Sequence, residues 1–519
     1  MKADELFADC RVTHSFGERE FTGVCSDSRR VKAGDLFLCQ TGNRNDGHDF
    51  AAEALKNGAV GILASHPIPG IPETELAMTD DVREAESRIW NRFCGRPADG
   101  MVKIAVTGTA GKTSVVFLLR HLFRAAGYSV GVITTVGAFS GDREVSLGQN
   151  GGSSVSDVPG AMTTPDPEFF FGAVREMRDD GCGALIWEAS SQSLAMKKTA
   201  AITADCAVFT NLSPEHLDCH GTVENYFAAK AGLLGLTNAA VINADDEWIA
   251  RLKAMAPGKR IVTCSADPAK VARCDVCALK IASRGPDGME YVFFSERAVF
   301  RITTPLTGRY SVYNTMQAAA CALSFGIDPM TVKEALADFP GVPGRMMRVH
   351  IPGEGTDSRL PKVFIDYAHT PGALSAVLES VREWRSGGRL TVLFGCGGDR
   401  DRSKRPLMAH TAQRFADRVI LTGDNPRTED PDGILSDLRA GIDPAKPYTV
   451  IPDRAAAIRH AVLTAEEGEI LLLTGKGHEK YEIRADGKHF FDEEALAREA
   501  LAEKLREYGN SSENKNNRT

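Results

Sequence analysis

The stretch Val106-Thr107-Gly108-Thr109-Ala110-Gly111-Lys112-Thr113-Ser114 constrains the fold more than any other part of the chain. An apolar run, 101–106, leads into it and an amphipathic run, 115–126, leaves it, so the local order is strand, glycine loop, helix. Glycines let backbone N–H groups approach a phosphate closely, and a helix N-terminus adds positive dipole. Lys112 brings a full charge and Thr113 a hydroxyl suited to Mg²⁺. The longer form of such a loop is G-x-x-x-x-G-K-[ST]; Val106 stands where its first glycine would be, leaving the shorter G-x-x-G-K-T. A glycine turn alone can be purely structural. With Lys112-Thr113 and these flanks, Gly108, Thr109, Ala110, Gly111, Lys112, Thr113 and Ser114 read as a nucleoside-triphosphate loop.

Such a loop calls for a parallel sheet, and the chain supplies its strands. Residues 184–187 end at Glu188, 207–209 at Thr210-Asn211 and 240–242 at Asn243, all as continuous apolar runs that suit a sheet covered on both faces. Ligands gather beyond the strand C-termini of such sheets, which is where Glu188 and Asn211 fall. From 344 to 509 the theme repeats. Four apolar runs end in Asp366-Tyr367-Ala368-His369, Gly397-Gly398-Asp399-Arg400, Asp424-Asn425-Pro426-Arg427 and Gly475-Lys476-Gly477-His478-Glu479. Residues 1–97 mix short strand-like runs with a helical stretch near 51–57. With 519 residues, the length prior is about three domains. The reading is therefore α/β: a small N-terminal domain (1–97), a central phosphate-loop domain with a parallel sheet (98–343) and a C-terminal Rossmann-like domain (344–509). The tail 510–519 has nothing to bury and reads as disordered.

A net charge of −8 argues against a nucleic-acid or anionic-membrane surface. No apolar run approaches the roughly 20 residues of a membrane span, and the polar start is no signal peptide, so a cytoplasmic location is expected. The twelve cysteines are scattered; Cys274-x-x-Cys277 lacks a second pair or a His at ligand spacing and reads as ordinary thiols. Several residues keep two readings. Glu188 could ligate Mg²⁺ or, with Ser190 and Ser191, belong to a helix cap. His216, just after a strand end, is structural or functional. Ser26-Asp27-Ser28-Arg29 and the polar cluster 42–48 are ligand loops or solvated turns. Arg400, Arg402, Lys404 and Arg405 grip a carboxylate or form a solvated basic loop, with Arg427 paired to Glu429 or Asp430.

Taken together, the motifs resemble the Mur ligase family of peptidoglycan synthesis. Those that match are 108–113, Thr163-Thr164-Pro165-Asp166, Glu188-Ala189-Ser190-Ser191, Thr210-Asn211-Leu212, His216-Leu217-Asp218, Tyr226-x-x-x-Lys230, Tyr313-Asn314, Pro343-Gly344-Arg345-Met346 and the four C-terminal strand loops. They run in family order through nearly the whole chain. The resemblance implies an ATP-dependent amide ligase whose first domain holds a UDP-sugar, the second ATP and the third an amino acid. It implies metal and phosphate roles for Lys112, Thr113, Glu188, His216 and Lys230, and adenosine contacts at Asn314, Arg345 and Asp366. Thr163, Thr164, Ser190 and Lys198 would meet the UDP-MurNAc-dipeptide, and Ser28 its uridine. Lys198 stands where many relatives have an arginine. The family's matching lysine at 230 is carbamylated by CO₂, which turns an ammonium into an oxygen ligand for Mg²⁺. The tetrapeptide 424–427 accompanies meso-diaminopimelate, whose distal carboxylate needs a cation; Arg400, Asn425, Pro426, Arg427, Gly475 and Glu479 complete that pocket. A monomer without nucleic-acid or membrane partners is implied. The runner-up is the lysine-adding ligase of the same family. Folylpolyglutamate synthase is more remote, and from another class a nucleotide-switch protein would need no amino-acid pocket.

Overall fold

Short apolar runs between glycine and polar turns become the strands of three main sheets. The computed structural model describes the chain except residues 43–44, 146–162, 214–216, 352–358, 386 and 517–519. The described residues gather into two compact units. One comprises Met1–Ala278, Phe293–Val299 and Tyr313–Ala335; the other Leu279–Val292, Phe300–Val312 and Leu336–Thr519.

The first sheet contains β1 (Thr13–His14), β2 (Gly23–Cys25), β3 (Asp35–Leu38), β4 (Gly61–Ala64) and β5 (Leu76–Met78), in the order β1-β5-β4-β3-β2. Strands β2 to β5 pair in parallel and β1 closes the edge antiparallel to β5. Leu36, Leu38, Leu63 and Phe21 pack with Ile89 of the helix Val82–Phe93. Asp81 caps that helix by accepting from Glu84 N at 2.9 Å. Its buried face is unusual in carrying two polar residues, Glu86 and Ser87.

Glu86 accepts a hydrogen bond from Gln40 Nε2. Burial pushes its carboxyl from 4.5 up to about 8, Asp166 and Glu168 add to the rise, and Gln40 and Lys198 oppose it. The unfolded chain releases this proton near 4.5 whereas the folded chain keeps it to about 8. The associated stability is therefore complete below 4.5 and is lost as pH climbs to about 8. Glu86→Gln should remove that decline, making the variant more stable than the parent by roughly 4 kcal/mol at about pH 8.5 and equal to it at about pH 4.5. Urea unfolding at both pH values measures it; parallel curves at both would show that Glu86 is not held neutral.

The central sheet is built from β6 (Val102–Thr107), β7 (Val130–Thr134), β8 (Gly137–Ser140), β9 (Arg143–Glu144), β10 (Ala184–Glu188), β11 (Cys206–Phe209), β12 (Ala239–Asn243), β13 (Arg260–Ser265), β14 (Val276–Ser283), β15 (Met289–Ser295) and β16 (Val299–Thr304). Its order is β16-β15-β14-β13-β12-β11-β6-β10-β7-β8-β9. From β7 to β14 through β6 the pairings are parallel, and register aligns the strand ends: Glu188 lies beside Val106 and Phe209 beside Thr107. Val106 is itself a fully buried strand residue between β10 and β11, so the position that lacks a glycine is doing the work of core packing. Cys274 and Cys277 are free thiols.

The last large sheet holds β17 (Met347–Arg348), β18 (Lys362–Asp366), β19 (Leu390–Phe394), β20 (Arg418–Leu421), β21 (Tyr448–Val450) and β22 (Ile470–Thr474), in the order β17-β18-β22-β19-β20-β21. Asp366 and Phe394 both register with Thr474, and Phe394 with Leu421, so the loops that follow open at one sheet edge. A hairpin of β23 (Tyr481–Arg484) and β24 (Gly487–Phe490) follows. The closing helix spans Glu493–Asn516, past the point where the sequence reading places a disordered tail. Among the described residues no helix is long and apolar enough to cross a membrane.

Candidate active site

In the first unit the glycines of the loop sit where side chains have no room. Gly108 has φ 149°, and a Cβ there would lie 1.9 Å from Thr210 Oγ1; Gly111 has φ 83°, and its Cβ would meet Asn314 Oδ1 at 2.6 Å. Gly111 is the N-cap of the helix Lys112–Ala125. The strand end after β11 props the loop from below. Thr109 N donates to Asn211 O at 2.8 Å and Ala110 N to Asn211 Oδ1 at 2.9 Å, while Thr210 Oγ1 and Asn211 Nδ2 donate to Ala110 O at 2.6 and 3.0 Å. Lys112 Nζ curls back onto the carbonyls of Gly108 and Thr109 at 3.0 and 2.9 Å, which puts its charge over the loop.

Beside it, Thr113 Oγ1 donates to Glu188 Oε1 at 2.8 Å. Glu188 is fully buried and also accepts from Thr135 N at 3.0 Å and Thr135 Oγ1 at 3.2 Å. A hydroxyl and a carboxylate converging at a phosphate loop fit Mg²⁺, a hard cation that takes few protein oxygens and completes its shell with phosphates and waters. Among the described residues no group of three or more His, Cys, Asp or Glu is arranged to hold a metal. Lys230 is buried, donates to Gly108 O at 2.8 Å and lies 4.7 Å from the Tyr226 ring; the Tyr226 hydroxyl is 3.0 Å from Thr109 Oγ1.

The residues expected to face the dipeptide form the adjoining layer. Thr163 Oγ1 accepts from Thr135 Oγ1 at 3.2 Å, and Thr164 Oγ1 donates to Glu188 O at 2.7 Å. Ser190 caps the helix Ser191–Ala195 by accepting from Ser193 N, so Glu188 ends its strand and Ser190 is the cap. Lys198 Nζ reaches Thr164 O at 3.2 Å and Asp166 Oδ1 at 2.8 Å. Ser28 stands apart in the first sheet's layer, donating to Glu53 Oε2 at 3.0 Å. His216 lies outside the described residues.

The second unit interlocks its strand loops. Arg427 (φ 54°) donates from Nη1 to Gly398 O at 2.8 Å, and a Cβ at Gly397 would lie 2.7 Å from that nitrogen. Asn425 Nδ2 donates to Glu479 Oε2 at 2.8 Å, and Asn425 Oδ1 accepts from Lys476 Nζ and Ile483 N, both at 2.9 Å. Burial pushes the Glu479 carboxyl up, with Asn425 opposing; burial pushes the Lys476 ammonium down, with Asp424 opposing. Gly475 (φ 110°) has no room for a Cβ beside Asp424. Asp366 accepts from Met346 N at 2.8 Å and Ala368 N at 2.9 Å, and burial raises its carboxyl while Arg345 opposes. Arg345 stacks over Tyr367, and burial drives the neighbouring His478 down to about 4.

The basic run separates into different roles. Arg405 is fully buried and holds Glu429 and Asp437 at 2.9 and 2.8 Å; Arg402 also pairs with Asp437, and Lys404 donates to His369 O. Arg400 and Arg402 are both exposed, and Arg400 Nη1 donates to Asp399 O at 3.1 Å. Glu429, taken by Arg405, is not Arg427's partner. Sequence reasoning missed Thr135, Lys476 and the buried role of Arg405. Only the lysine's place in a glycine-flanked strand loop could have signalled any of these.

A glycine loop at a parallel sheet's carboxyl edge and a second α/β unit whose strand loops converge are the architecture of a nucleotide-dependent ligase. The chain belongs to the Mur ligase family: the family's catalytic domain matches residues 20–88, the Mur ligase middle domain 106–322, and the glutamate ligase domain 344–477. It is 41% identical over 500 residues (95% of this chain, 96% of the relative) to UDP-N-acetylmuramoyl-L-alanyl-D-glutamate–2,6-diaminopimelate ligase of Synechococcus elongatus. To the protein of the same name from Syntrophomonas wolfei it is 37% identical over 520 residues, covering 98% and 100%. A solved structure of a diaminopimelate ligase of this name matches with a TM-score of 0.68 at 31% identity, over 97% of this chain and 99% of that one. A MurF ligase from Thermotoga maritima, in complex with ADP, shares the fold with a TM-score of 0.53 at 17% identity, over 94% and 97%.

Proposed function

We propose that this protein joins meso-2,6-diaminopimelate to UDP-N-acetylmuramoyl-L-alanyl-D-glutamate at the expense of ATP, as a monomer, in cytoplasmic peptidoglycan precursor synthesis. Its relatives of that name carry the general assignment. The observation that supports the choice of amino acid is the Arg427 guanidinium held on Gly398 O in the same set of strand loops as the Asn425–Glu479 pair. An arginine suits the distal carboxylate and a buried carboxylate the distal ammonium. Residues 1–97, 98–343 and 344–509 are the proposed domains for UDP-sugar, ATP and amino acid. Ser28 serves the uridine; Thr163, Thr164, Ser190 and Lys198 the dipeptide; Asn314, Arg345 and Asp366 the adenosine; Arg400, Pro426 and Gly475 complete the diaminopimelate pocket.

The dipeptide's γ-carboxylate oxygen attacks the γ-phosphorus of ATP; the P–O bond to ADP breaks and an acyl phosphate forms. The diaminopimelate amine attacks that carbonyl, an amide forms, and phosphate leaves with the amine proton passing to solvent or a basic side chain. Neither step needs a protein nucleophile. Lys112 and the loop N–H groups neutralise and align the transferring phosphoryl group. Thr113 and Glu188 would hold Mg²⁺, which when bound spreads charge from the phosphate oxygens. Lys198 fixes the acceptor.

Lys230 is proposed to carry a carbamate: its amine adds CO₂, an N–C bond forms and a proton leaves, giving an oxygen ligand at the loop. Lys230→Ala should lose activity and regain part of it with added short carboxylates, and intact protein should show the mass of one added CO₂ at this residue. Failure of either removes the carbamate. The whole assignment is tested by phosphate release with UDP-MurNAc-dipeptide: turnover with meso-diaminopimelate should far exceed that with lysine. Equal rates would favour the lysine-adding ligase.

A further inference from the structure

The helix Val82–Phe93 grips a turn of the central sheet's layer at two points. Lys197, held at φ 53°, forms ion pairs with Asp81 at 2.6 Å and Glu84 at 2.9 Å. One turn further along, Ser87 is fully buried; its hydroxyl donates to Lys198 O at 2.9 Å and accepts from Ala201 N at 3.1 Å. The backbone that carries Lys198 is thus pinned immediately before, at, and three residues after it. The Lys198 side chain points the other way, to Thr164 O and Asp166, and is itself buried.

A lysine is a point charge on a flexible stem and lacks the fork that lets an arginine fix its own geometry on a carboxylate. Its aim must come from its stem and its partners. We propose that Ser87, with Lys197, is a positioning clasp that aims Lys198 at the dipeptide carboxylate, so the segment that binds the UDP-sugar also sets the cation that reads the peptide. This rests on the reading of Lys198 as a dipeptide contact. Ser87 itself touches no substrate; it acts through the Lys198 carbonyl.

Removing the hydroxyl leaves the buried Lys198 O and the half-buried Ala201 N without that partner, and the turn must shift to recover one. Ser87→Ala should therefore raise KM for UDP-MurNAc-dipeptide about tenfold, with kcat at saturating dipeptide and KM for ATP within about twofold of the parent. Lys197→Gly relieves the left-handed backbone while cutting the ion pairs, so it folds readily and should raise the same KM about threefold. The deciding measurement is the double variant. In a Lys198→Met background, Ser87→Ala should add less than about twofold, because the residue it positions is gone. Additive effects, or equal rises in KM for ATP and dipeptide, would overturn the clasp in favour of a general packing role. If Lys198→Met raises KM and Ser87→Ala does not, the clasp alone falls. If Lys198→Met leaves KM unchanged, the carboxylate reading falls and takes the clasp with it.

Discussion

Arg427→Ala is expected to lower kcat/KM for meso-diaminopimelate by about 10³-fold while changing the slow turnover of lysine by less than about tenfold. The two amino acids differ at the distal carbon, where diaminopimelate carries a carboxylate and lysine does not. Arg427 is half-buried and fixed by its contact with Gly398 O, in a left-handed backbone conformation held by Arg427 N donating to Ile483 O at 3.0 Å. Truncation leaves the distal carboxylate desolvated with no cation, a cost lysine never meets. Arg427→Lys restores the charge but not the two-pronged geometry and should recover only part of the loss. Steady-state phosphate release with each amino acid measures all three. Equal losses for both substrates would remove Arg427 from the specificity pocket.

Lys112→Ala should reduce kcat by about 10³-fold or more and abolish stabilisation of the fold by Mg·ATP. Its ammonium bridges Gly108 O and Thr109 O, which holds the loop's shape and, on the proposed reading, sets its charge toward the phosphate. Lys112→Arg keeps the charge, but a planar guanidinium cannot occupy the same point between two carbonyls; it should stay far below the parent. Thermal unfolding with and without Mg·ATP separates the effects. A variant that still gains stability from the nucleotide but turns over slowly has lost transition-state charge alone. One that retains a tenth of the parent's kcat would show that the loop does not cradle the transferring phosphate.

Much of the first site is legible because parallel strands end in register. A reader of the sequence can place Glu188 and Asn211 near Gly108 from strand ends alone, and the pairing of Glu188 with Val106 and Phe209 with Thr107 explains why this works. Thr135 escapes the same logic. It is one of two consecutive threonines, and which of them meets Glu188 depends on the alignment of β7 with β10, which composition does not encode. Arg405 escapes because four cations close in sequence look alike until a helix turns one inward onto Glu429 and Asp437. Ser87 and Lys198 are 111 residues apart, and Glu86 sits in a helix whose charged neighbours hide it. Polar residues on a buried helix face break the hydrophobic period that sequence reading relies on.

The two loops of the second unit cannot be exchanged one at a time. Gly398 has no space for a side chain beneath Pro426 O, Asp399 N rests on Glu429, Thr428 rests on Asp399, and Arg405 ties Glu429 to Gly397. Changing 424–427 alone would disturb the close approach of Pro426 O to Gly398 and the Arg427–Gly398 contact with the opposite loop. A working graft must carry 397–399, 405 and 424–429 as one cassette. On the proposed reading, amino-acid choice in this chain belongs to a pair of loops with its buried arginine, and a single-loop hybrid should lose it.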